Sequence, residues 1–348
     1  MSQKNYAVRV IRAPKGLPSA EDFELVSQPV PRLAEGDVLF EATHMSLDPV
    51  MRRYLPGPDD APGPIGGTAR VGDIAMAAPP PPAHALSGAF VGTVLESRHP
   101  DFAAGDRVRG GHLWQTHHVV PGTSLAAIPR DADPLDELGV LGGPGLVAWC
   151  GMRIAAVRPG ETLVVSAAGG AIGMVAGQLG KAAGARVVGI ASGEKADYVV
   201  HELGFDACID RRATAVADGL DEHCPEGIDV YFDNVGGDTG TAAFDRLREH
   251  GRYILCGMAA EYNGPESAVG PPLRPMLRKR LRLEGFVVYD HYPEYGVFRS
   301  EMQELRRNGS VRYRYEMLHG LDTAPEGLTR LLSGQNQGKM IVNLAGSR

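Results

Sequence analysis

The stretch ETLVVSAAGGAIGMVAGQLGKAAGARVVGIASGEK, residues 161–195, constrains the fold more than any other part of the chain. Its apolar run, Thr162 to Val165, has the length and β-branched content of a buried strand. Small residues and glycines follow, Ala168-Gly169-Gly170-Ala171-Ile172-Gly173, and then a helix-period segment that ends near Gly184. A second strand, Arg186 to Ala191, completes a βαβ unit. The turn in its middle reads A-x-G-x-x-G, one residue from the usual dinucleotide fingerprint. Glycines in that turn permit close approach of the backbone, and the helix N-terminus offers free N–H groups to a pyrophosphate.

The same alternation continues on the C-terminal side. Helices are expected over Glu194–Gly204, Thr214–His223, Thr239–His250 and Leu273–Arg282, with strands over Ala207–Asp210, Ile228–Val235, Arg252–Met258 and Gly285–Tyr289. Six strands with intervening helices make a complete doubly wound parallel sheet. Residues 1–125 read differently, as short strands set between Gly/Pro turns: Tyr6–Ile11, Asp37–His44, Gly88–Ser97 and Asp106–Val108. They predict a compact β-barrel domain. Residues 56–87, rich in Pro and Gly and including Pro79 to Pro82, read as a surface loop. The tail, 311–348, returns to strand, helix, strand. Because the parallel sheet is already full, the tail is expected to complete the first domain. The expected domains are therefore 1–125 with 311–348, and 126–310.

Length and charge exclude several classes. At 348 residues the chain exceeds one ordinary core. A net charge of −7 argues against general nucleic-acid affinity, which needs basic surface. The basic cluster Arg274, Arg278, Lys279, Arg280 and Arg282 has helical spacing and reads as a solvated helix face. The apolar stretch Leu138 to Val157 is interrupted by Gly142-Gly143-Pro144-Gly145 and by Arg153, so it reads as a core helix with a bent start and not as a membrane span. Cys150, Cys208, Cys224 and Cys256 stand far apart, without the spacing of a disulfide framework or structural zinc. The N-terminal residues hold no apolar signal core, and a cytoplasmic, reduced protein is the simplest reading.

A site for NAD usually carries Asp or Glu at the end of the second strand, where it binds the ribose 2′-hydroxyl. Here that strand ends Ala191-Ser192-Gly193 with no acid in place. Lys195 follows, and Arg211 lies just past the third strand at the same edge of the sheet. Two cations there suit a 2′-phosphate, so NADP(H) is expected over NAD. Glu194, which is able to reach a 2′-hydroxyl, keeps NAD open.

Segments along the whole chain now match a family. They are MSLDPVMRRYL (45–55), LGVLGGPGLVAWCGM (138–152), SAAGGAIGMVAGQLGK (166–181), HELGFDACID (201–210), GIDVYFDNVGGD (227–238), GRYILCGMAAEYN (251–263), LRLEGFVVYD (281–290) and GQNQGKMIVNL (334–344). The chain resembles the zinc-free medium-chain dehydrogenase/reductases, in the group of prostaglandin reductases, leukotriene hydroxydehydrogenases, plant alkenal double-bond reductases and bacterial curcumin reductases. The resemblance implies a GroES-like catalytic domain built from both chain ends, a Rossmann domain between them, and a homodimer. Zinc-dependent relatives carry a cysteine near 44–46 and Gly-His-Glu ahead of Gly-x-Val. This chain has Thr43-His44-Met45-Ser46 and Gly88-Ala89-Phe90 there, so no catalytic metal is expected, and His44, His112, His117 and His118 are expected to be structural or surface residues.

Carried over by residue, the resemblance assigns Ala171, Ile172, Gly173 and Met174 to the pyrophosphate turn. It gives the 2′-phosphate to Lys195, with Ser192 beside it, and puts Arg211 where the family commonly has tyrosine. Asn234 reaches the cofactor's ribose, and Cys256 and Gly257 run with Tyr262 beneath the nicotinamide. Phe286, Val287 and Val288 hold the carboxamide through backbone groups, and Asn336 closes the site from the tail. The implied reaction is NADPH-dependent reduction of the C=C bond of an α,β-unsaturated ketone or aldehyde. Hydride goes to the β-carbon and a proton to the α-carbon, with Tyr262 as the hydrogen-bonding or proton-donating group; water remains the alternative donor. Val50 replaces a tyrosine usual in the S-L-D-P-Y-M-R segment, and with the 56–87 loop it points to a different or larger acceptor. Quinone reduction, secondary-alcohol oxidation and a non-catalytic NADPH sensor remain the rival readings.

Overall fold

The computed structural model describes residues 4–55, 86–263, 271 and 273–346. The expected loop at 56–87 lies outside the described residues, apart from Leu86, which is buried, and Ser87, which begins a strand. The chain forms two compact units, Met1–Gly139 with Tyr315–Arg348, and Val140–Arg314.

In the first unit β1 (Lys4–Val10) and β2 (Phe23–Pro29) form an antiparallel pair. The strands β3 (Asp37–Ser46), β4 (Ser87–Ser97), β5 (Arg107–Leu113), β6 (His117–Pro121) and β7 (Ala126–Ile128) follow, and then the short helix α1 (Pro134–Leu138). β3 pairs antiparallel with both β4 and β6, and β5 bridges β4 and β7. Phe40, Met45 and Phe90 of these strands, with Trp114 just after β5, are fully buried in one apolar cluster.

The second unit begins with α2 (Gly143–Ala155), buried through Leu146, Ala148 and Trp149. It continues as β8 (Thr162–Ser166), α3 (Gly173–Ala182), β9 (Arg186–Ala191), α4 (Glu194–His201), β10 (Ala207–Asp210), α5 (Val216–His223), β11 (Ile228–Asp233), α6 (Gly237–Asp245), β12 (Leu247–Leu255), α7 (Leu273–Lys279), β13 (Arg282–Gly285) and α8 (Tyr295–Arg307). The six strands lie in the order β10-β9-β8-β11-β12-β13, and every pairing is parallel. That is the doubly wound order, with its reversal between β8 and β11. Leu163, Val164 and Val165 of β8 are all fully buried, as a central parallel strand covered on both faces requires.

The chain then returns to the first unit with β14 (Tyr315–His319), α9 (Ala324–Leu332) and β15 (Lys339–Asn343). β15 pairs antiparallel with β3 and parallel with β14, giving the order β14-β15-β3-β4-β5-β7. Lys339 fastens this return: its buried ammonium reaches Ser46 Oγ at 2.6 Å, the Leu47 carbonyl at 2.7 Å and Asp48 at 2.5 Å.

Several boundaries differ from the sequence pattern. The helix expected over Thr239–His250 ends at Asp245, because Leu247 already pairs with Ile228 and β12 runs over Leu247–Leu255 in place of Arg252–Met258. The chain leaves the first unit at 139/140, not at 125/126, because β7 pairs with β5 and Leu138 of α1 packs with Val91, Ile128 and Ile341. It re-enters at 314/315, four residues later than the expected 310/311, where β14 joins β15. The last parallel strand is Arg282–Gly285 and not Gly285–Tyr289. The polar residues Arg282 to Gly285 take up the pairing with β12, and a 3-10 helix runs over Val288–Glu294.

His118 lies in the core of the first unit, stacked on Phe40 at 4.5 Å, tilted against Phe90 at 4.6 Å and edge-on to His112 at 5.2 Å. Both of its ring nitrogens are buried without a partner among the described residues. Burial holds its pKa well below the usual histidine range, with the nearby His112 and His117 adding to the effect. The folded state therefore refuses a proton that the unfolded chain accepts below about pH 6.5, and stability falls as pH drops through that value. Replacing His118 with Phe keeps the ring and removes the titration. Between pH 7.5 and 5.5 the wild-type chain is expected to lose roughly 1.4 kcal/mol more unfolding free energy than His118→Phe, measured by urea denaturation; equal losses would remove His118 from the acid response.

Candidate functional site

Because all six strands of the second unit are parallel, their carboxyl ends lie at one edge of the sheet, and the sequence-selected residues of that unit gather there. β8 ends at Ser166, and the chain turns through Ala167 to Ile172 before α3 begins at Gly173. Ala167 opens the turn in the left-handed region, φ 48°, and its carbonyl accepts the N–H of Gly170 at 2.8 Å. That carbonyl then lies so close to α3 that a Cβ on Gly173 would stand 2.3 Å from it. Only glycine fits at this position. Ala171 is held from outside the turn: its carbonyl accepts the Tyr313 hydroxyl at 2.9 Å. Gln178 adds a second tie, bonding the Met174 carbonyl and both the N–H and carbonyl of Arg312 at 2.8 Å each. Ile172 is the N-cap of α3, and Met174 is fully buried beneath it.

At the end of β9, Ser192 is buried and Gly193 has φ 56°. The Gly193 N–H donates to Asp210 Oδ1 at 3.0 Å, an oxygen that also accepts the Arg212 N–H at 3.0 Å. These two backbone donors lower the Asp210 pKa. Lys195, in the first turn of α4, lays its stem on the glycine turn: a Cβ on Gly169 would stand 2.9 Å from Lys195 Cβ and 3.3 Å from its Cδ. Arg211 is exposed, and its N–H donates to the Ala191 carbonyl at 3.1 Å. Its neighbour Arg212 carries the guanidinium that lies against the loop, with Nη1 3.7 Å from where a Gly193 Cβ would be. The sequence selected Arg211; the tandem Arg211-Arg212 was the signal that a second cation was present.

β11 ends in Asp233, and Asn234 follows. The Asn234 N–H donates to Ser166 Oγ at 2.8 Å and its side-chain Nδ2 to the Ser166 carbonyl at 2.7 Å. Its Oδ1 is buried with no partner among the described residues. Cys256 and Gly257 donate their N–H groups to the Asp233 carbonyl at 2.9 Å each. Ala259 donates to the Asn234 carbonyl and Ala260 to the Val235 carbonyl, which fixes the 3-10 turn Ala259–Glu261 that Tyr262 ends. Burial raises the Cys256 thiol well above the usual range, with the Asp233 charge a smaller cause. Its side chain is therefore an apolar filler and no nucleophile.

Phe286, Val287 and Val288 follow β13 at the same edge. The Phe286 ring packs toward α2, 2.9 Å from where a Gly151 Cβ would stand, and Val287 is 52% exposed. Asn336 belongs to the first unit, buried, with its Nδ2 on the Gly338 carbonyl at 2.6 Å. Val50, also in the first unit, is 39% exposed. Among the described residues no three His, Cys, Asp or Glu side chains converge as metal ligands, and no helix is long and apolar enough to cross a membrane.

A glycine turn and a buried unpaired amide oxygen on either side of the β8–β11 reversal define a dinucleotide-binding sheet. Comparison with known proteins narrows the class. Residues 7–128 match the N-terminal domain of oxidoreductase, and residues 171–307 match the family described as zinc-binding dehydrogenase. The NADPH-dependent curcumin reductase of Escherichia coli is 36% identical over 99% of this chain and 98% of its own length. The NADP(+)-dependent 2-alkenal reductase of Nicotiana tabacum is 34% identical, with 94% of each chain covered. The crystal structure of CurA from Vibrio vulnificus in complex with NADPH superposes with a TM-score of 0.86, at 34% identity over 97% of this chain and 99% of that one. The chain belongs to the medium-chain dehydrogenase/reductase family, in the group that holds these reductases.

The turn geometry has opposite consequences at its two ends. Gly173→Ala drives a methyl into a backbone oxygen and is expected to cost about 1–3 kcal/mol of stability. Ala167→Gly relieves a left-handed alanine and is expected to gain up to about 1 kcal/mol. Urea denaturation of the two variants checks both signs; a neutral Gly173→Ala would mean that the turn is looser than described.

Proposed function

We propose that this chain is an NADPH-dependent reductase that saturates the C=C bond of α,β-unsaturated ketones and aldehydes. Bound NADPH supplies the hydride, which is delivered to the β-carbon. The residues present fit such a cofactor. The observation that carries the reading is the end of β9: Ala191-Ser192-Gly193 brings no carboxylate of its own, the Asp210 carboxylate beside it accepts the Gly193 and Arg212 N–H groups, and the Arg212 guanidinium lies against that loop while the Lys195 stem lies on the Gly169 turn. A 2′-phosphate there meets two cations, while a bare 2′-hydroxyl finds no acid on the strand end. The unpaired Asn234 Oδ1 suits a ribose hydroxyl as donor. The turn would present the N–H groups of Ala171, Ile172 and Gly173 to the pyrophosphate, while the Met174 N–H is taken by the Gly170 carbonyl at 3.0 Å; Ser192 and Arg211 would flank the adenosine end. Cys256, Gly257 and Tyr262 would hold the nicotinamide end, Phe286, Val287 and Val288 would offer backbone groups to its carboxamide, and Asn336 is the further cofactor-binding residue that the resemblance implies. The relatives named for curcumin and 2-alkenal substrates favour a conjugated carbonyl acceptor.

Tyr262 acts on that carbonyl. A tyrosine hydroxyl is a donor at neutral pH, and a hydrogen bond to the carbonyl oxygen stabilises the enolate that forms as the β-carbon is reduced. The α-carbon then takes a proton from Tyr262 or from water. The mechanism assigns no metal, since Thr43–Ser46 and Gly88–Phe90 lack the cysteine and the Gly-His-Glu of zinc-dependent relatives. The four cysteines are free, which fits a reducing, cytoplasmic setting. β13 is an edge strand whose Leu283 is 38% exposed, and we infer a homodimer formed along it; light scattering is expected to give twice the chain mass.

NADPH consumption with enones, enals and quinones, followed by identification of the products, tests the activity. A saturated ketone or aldehyde is expected; an alcohol, a hydroquinone alone, or tight NADPH binding with no turnover would overturn the reading. Lys195→Ala and Arg212→Ala are each expected to weaken NADPH binding about tenfold to a hundredfold, as loss of a charge-assisted contact does, and to leave NADH binding unchanged. Tyr262→Phe is expected to lower kcat on an enone with NADPH affinity unaltered; unchanged turnover would remove Tyr262 from the chemistry.

A further inference from the structure

Asp233 is fully buried, and its side-chain partners are hydroxyl and backbone N–H groups. Oδ1 accepts Ser166 Oγ at 2.9 Å, the Tyr231 hydroxyl at 3.0 Å, the Val235 N–H at 2.9 Å and the Gly236 N–H at 3.0 Å. Oδ2 accepts the Gly236 N–H at 3.1 Å and the Tyr253 hydroxyl at 2.5 Å. A buried carboxylate is costly unless its lone pairs are filled, and here they are. α6 closes the cluster, since a Cβ on Gly240 would stand 2.5 Å from the Tyr253 hydroxyl and 2.9 Å from Asp233 Oδ2.

The cluster has two arms. Through the Ser166 hydroxyl it reaches the backbone N–H of Asn234, and the Ser166 carbonyl accepts the Asn234 side-chain Nδ2, so that Oδ1 alone is left over. Through Tyr253 and its own carbonyl it reaches the far end of β12, where the Cys256 and Gly257 N–H groups are bound and the chain runs on to Tyr262. Burial and the Asp233 charge hold both phenols, Tyr231 and Tyr253, above the usual tyrosine range, so both remain donors.

We propose that Asp233 is the positioning residue of the site, with Ser166 transmitting it to the cofactor-binding Asn234 and Tyr253 transmitting it to the segment that carries Tyr262. This rests on the roles given above to Asn234 and Tyr262. The two arms separate binding from chemistry. The Ser166 hydroxyl governs where the Asn234 backbone, and with it the amide, sits, and Tyr253 governs where residues 256–262 sit.

Ser166→Ala and Tyr253→Phe each remove one hydroxyl and add no volume, so each tests one arm in the intact chain. NADPH affinity is read by calorimetry, kcat at saturating NADPH with an enone, and hydrogen exchange over residues 256–262 without ligand. Ser166→Ala is expected to weaken NADPH binding about tenfold with kcat changed less than about twofold. Tyr253→Phe is expected to lower kcat about tenfold, to speed exchange over 256–262, and to leave NADPH affinity within about twofold. Asp233→Asn, which keeps one acceptor oxygen, is expected to show both defects. If the wild-type chain saturates no enone, calorimetry and exchange still decide the proposal while the functional reading fails alone. Variants that lose thermal stability but keep NADPH affinity, kcat and exchange unchanged would make Asp233 a structural residue only. Loss of the same constant in both variants would equally overturn the division into arms.

Discussion

The tie between Ser166 and the Asp233-Asn234 pair is the contact on which the site depends. β8 and β11 are neighbours in the sheet, yet the chain winds outward from them in opposite directions, and a crevice opens between the turns that follow. The hydrogen bonds that would continue the sheet stop there, at Ser166 and Asp233. Side chains take over: the Ser166 hydroxyl joins Asp233, and the Asn234 amide joins the Ser166 backbone. Both strand ends are thereby fixed relative to one another at the place where a dinucleotide is expected to cross.

Around that tie the turns divide their tasks by chemistry. The Ala167–Gly173 turn supplies backbone and so tolerates no side chain on its inner face: a Cβ on Gly173 would stand 2.3 Å from the Ala167 carbonyl oxygen. The loop after β9 supplies charge. Asp210, itself an acid, accepts the Gly193 and Arg212 N–H groups, so its carboxylate shapes the loop on which the proposed 2′-phosphate site is built. The segment after β12 supplies a hydroxyl. It is held by main-chain bonds to residues 233–235, and its half-buried cysteine is inert.

Much of this was legible in the sequence, for identifiable reasons. The doubly wound sheet shows because buried parallel strands are continuous apolar runs; Arg186–Ala191 and Ala207–Asp210 were bounded correctly from that pattern alone. The pattern failed at β13, where Phe286-Val287-Val288 looks like a strand but Arg282–Gly285 pairs with β12. An edge strand has one neighbour and little burial, so its composition carries little signal. That the Arg212 guanidinium lies against the Gly193 loop is not legible in the sequence, because which of two adjacent residues turns toward a loop depends on backbone direction after the strand, which spacing does not encode. Ser166, Asp233 and Tyr313 escaped notice as partners because their bonds join residues 67, 20 and 142 positions apart.

The central claim is that hydride from the cofactor reaches the β-carbon of a conjugated carbonyl. NADPH carrying deuterium at both C4 positions, incubated with the enzyme and a simple enone in ordinary water, tests it directly by mass spectrometry and NMR of the product. Deuterium on the β-carbon of the saturated ketone is the expected result. Deuterium on a carbinol carbon, or a saturated product without deuterium, would contradict it.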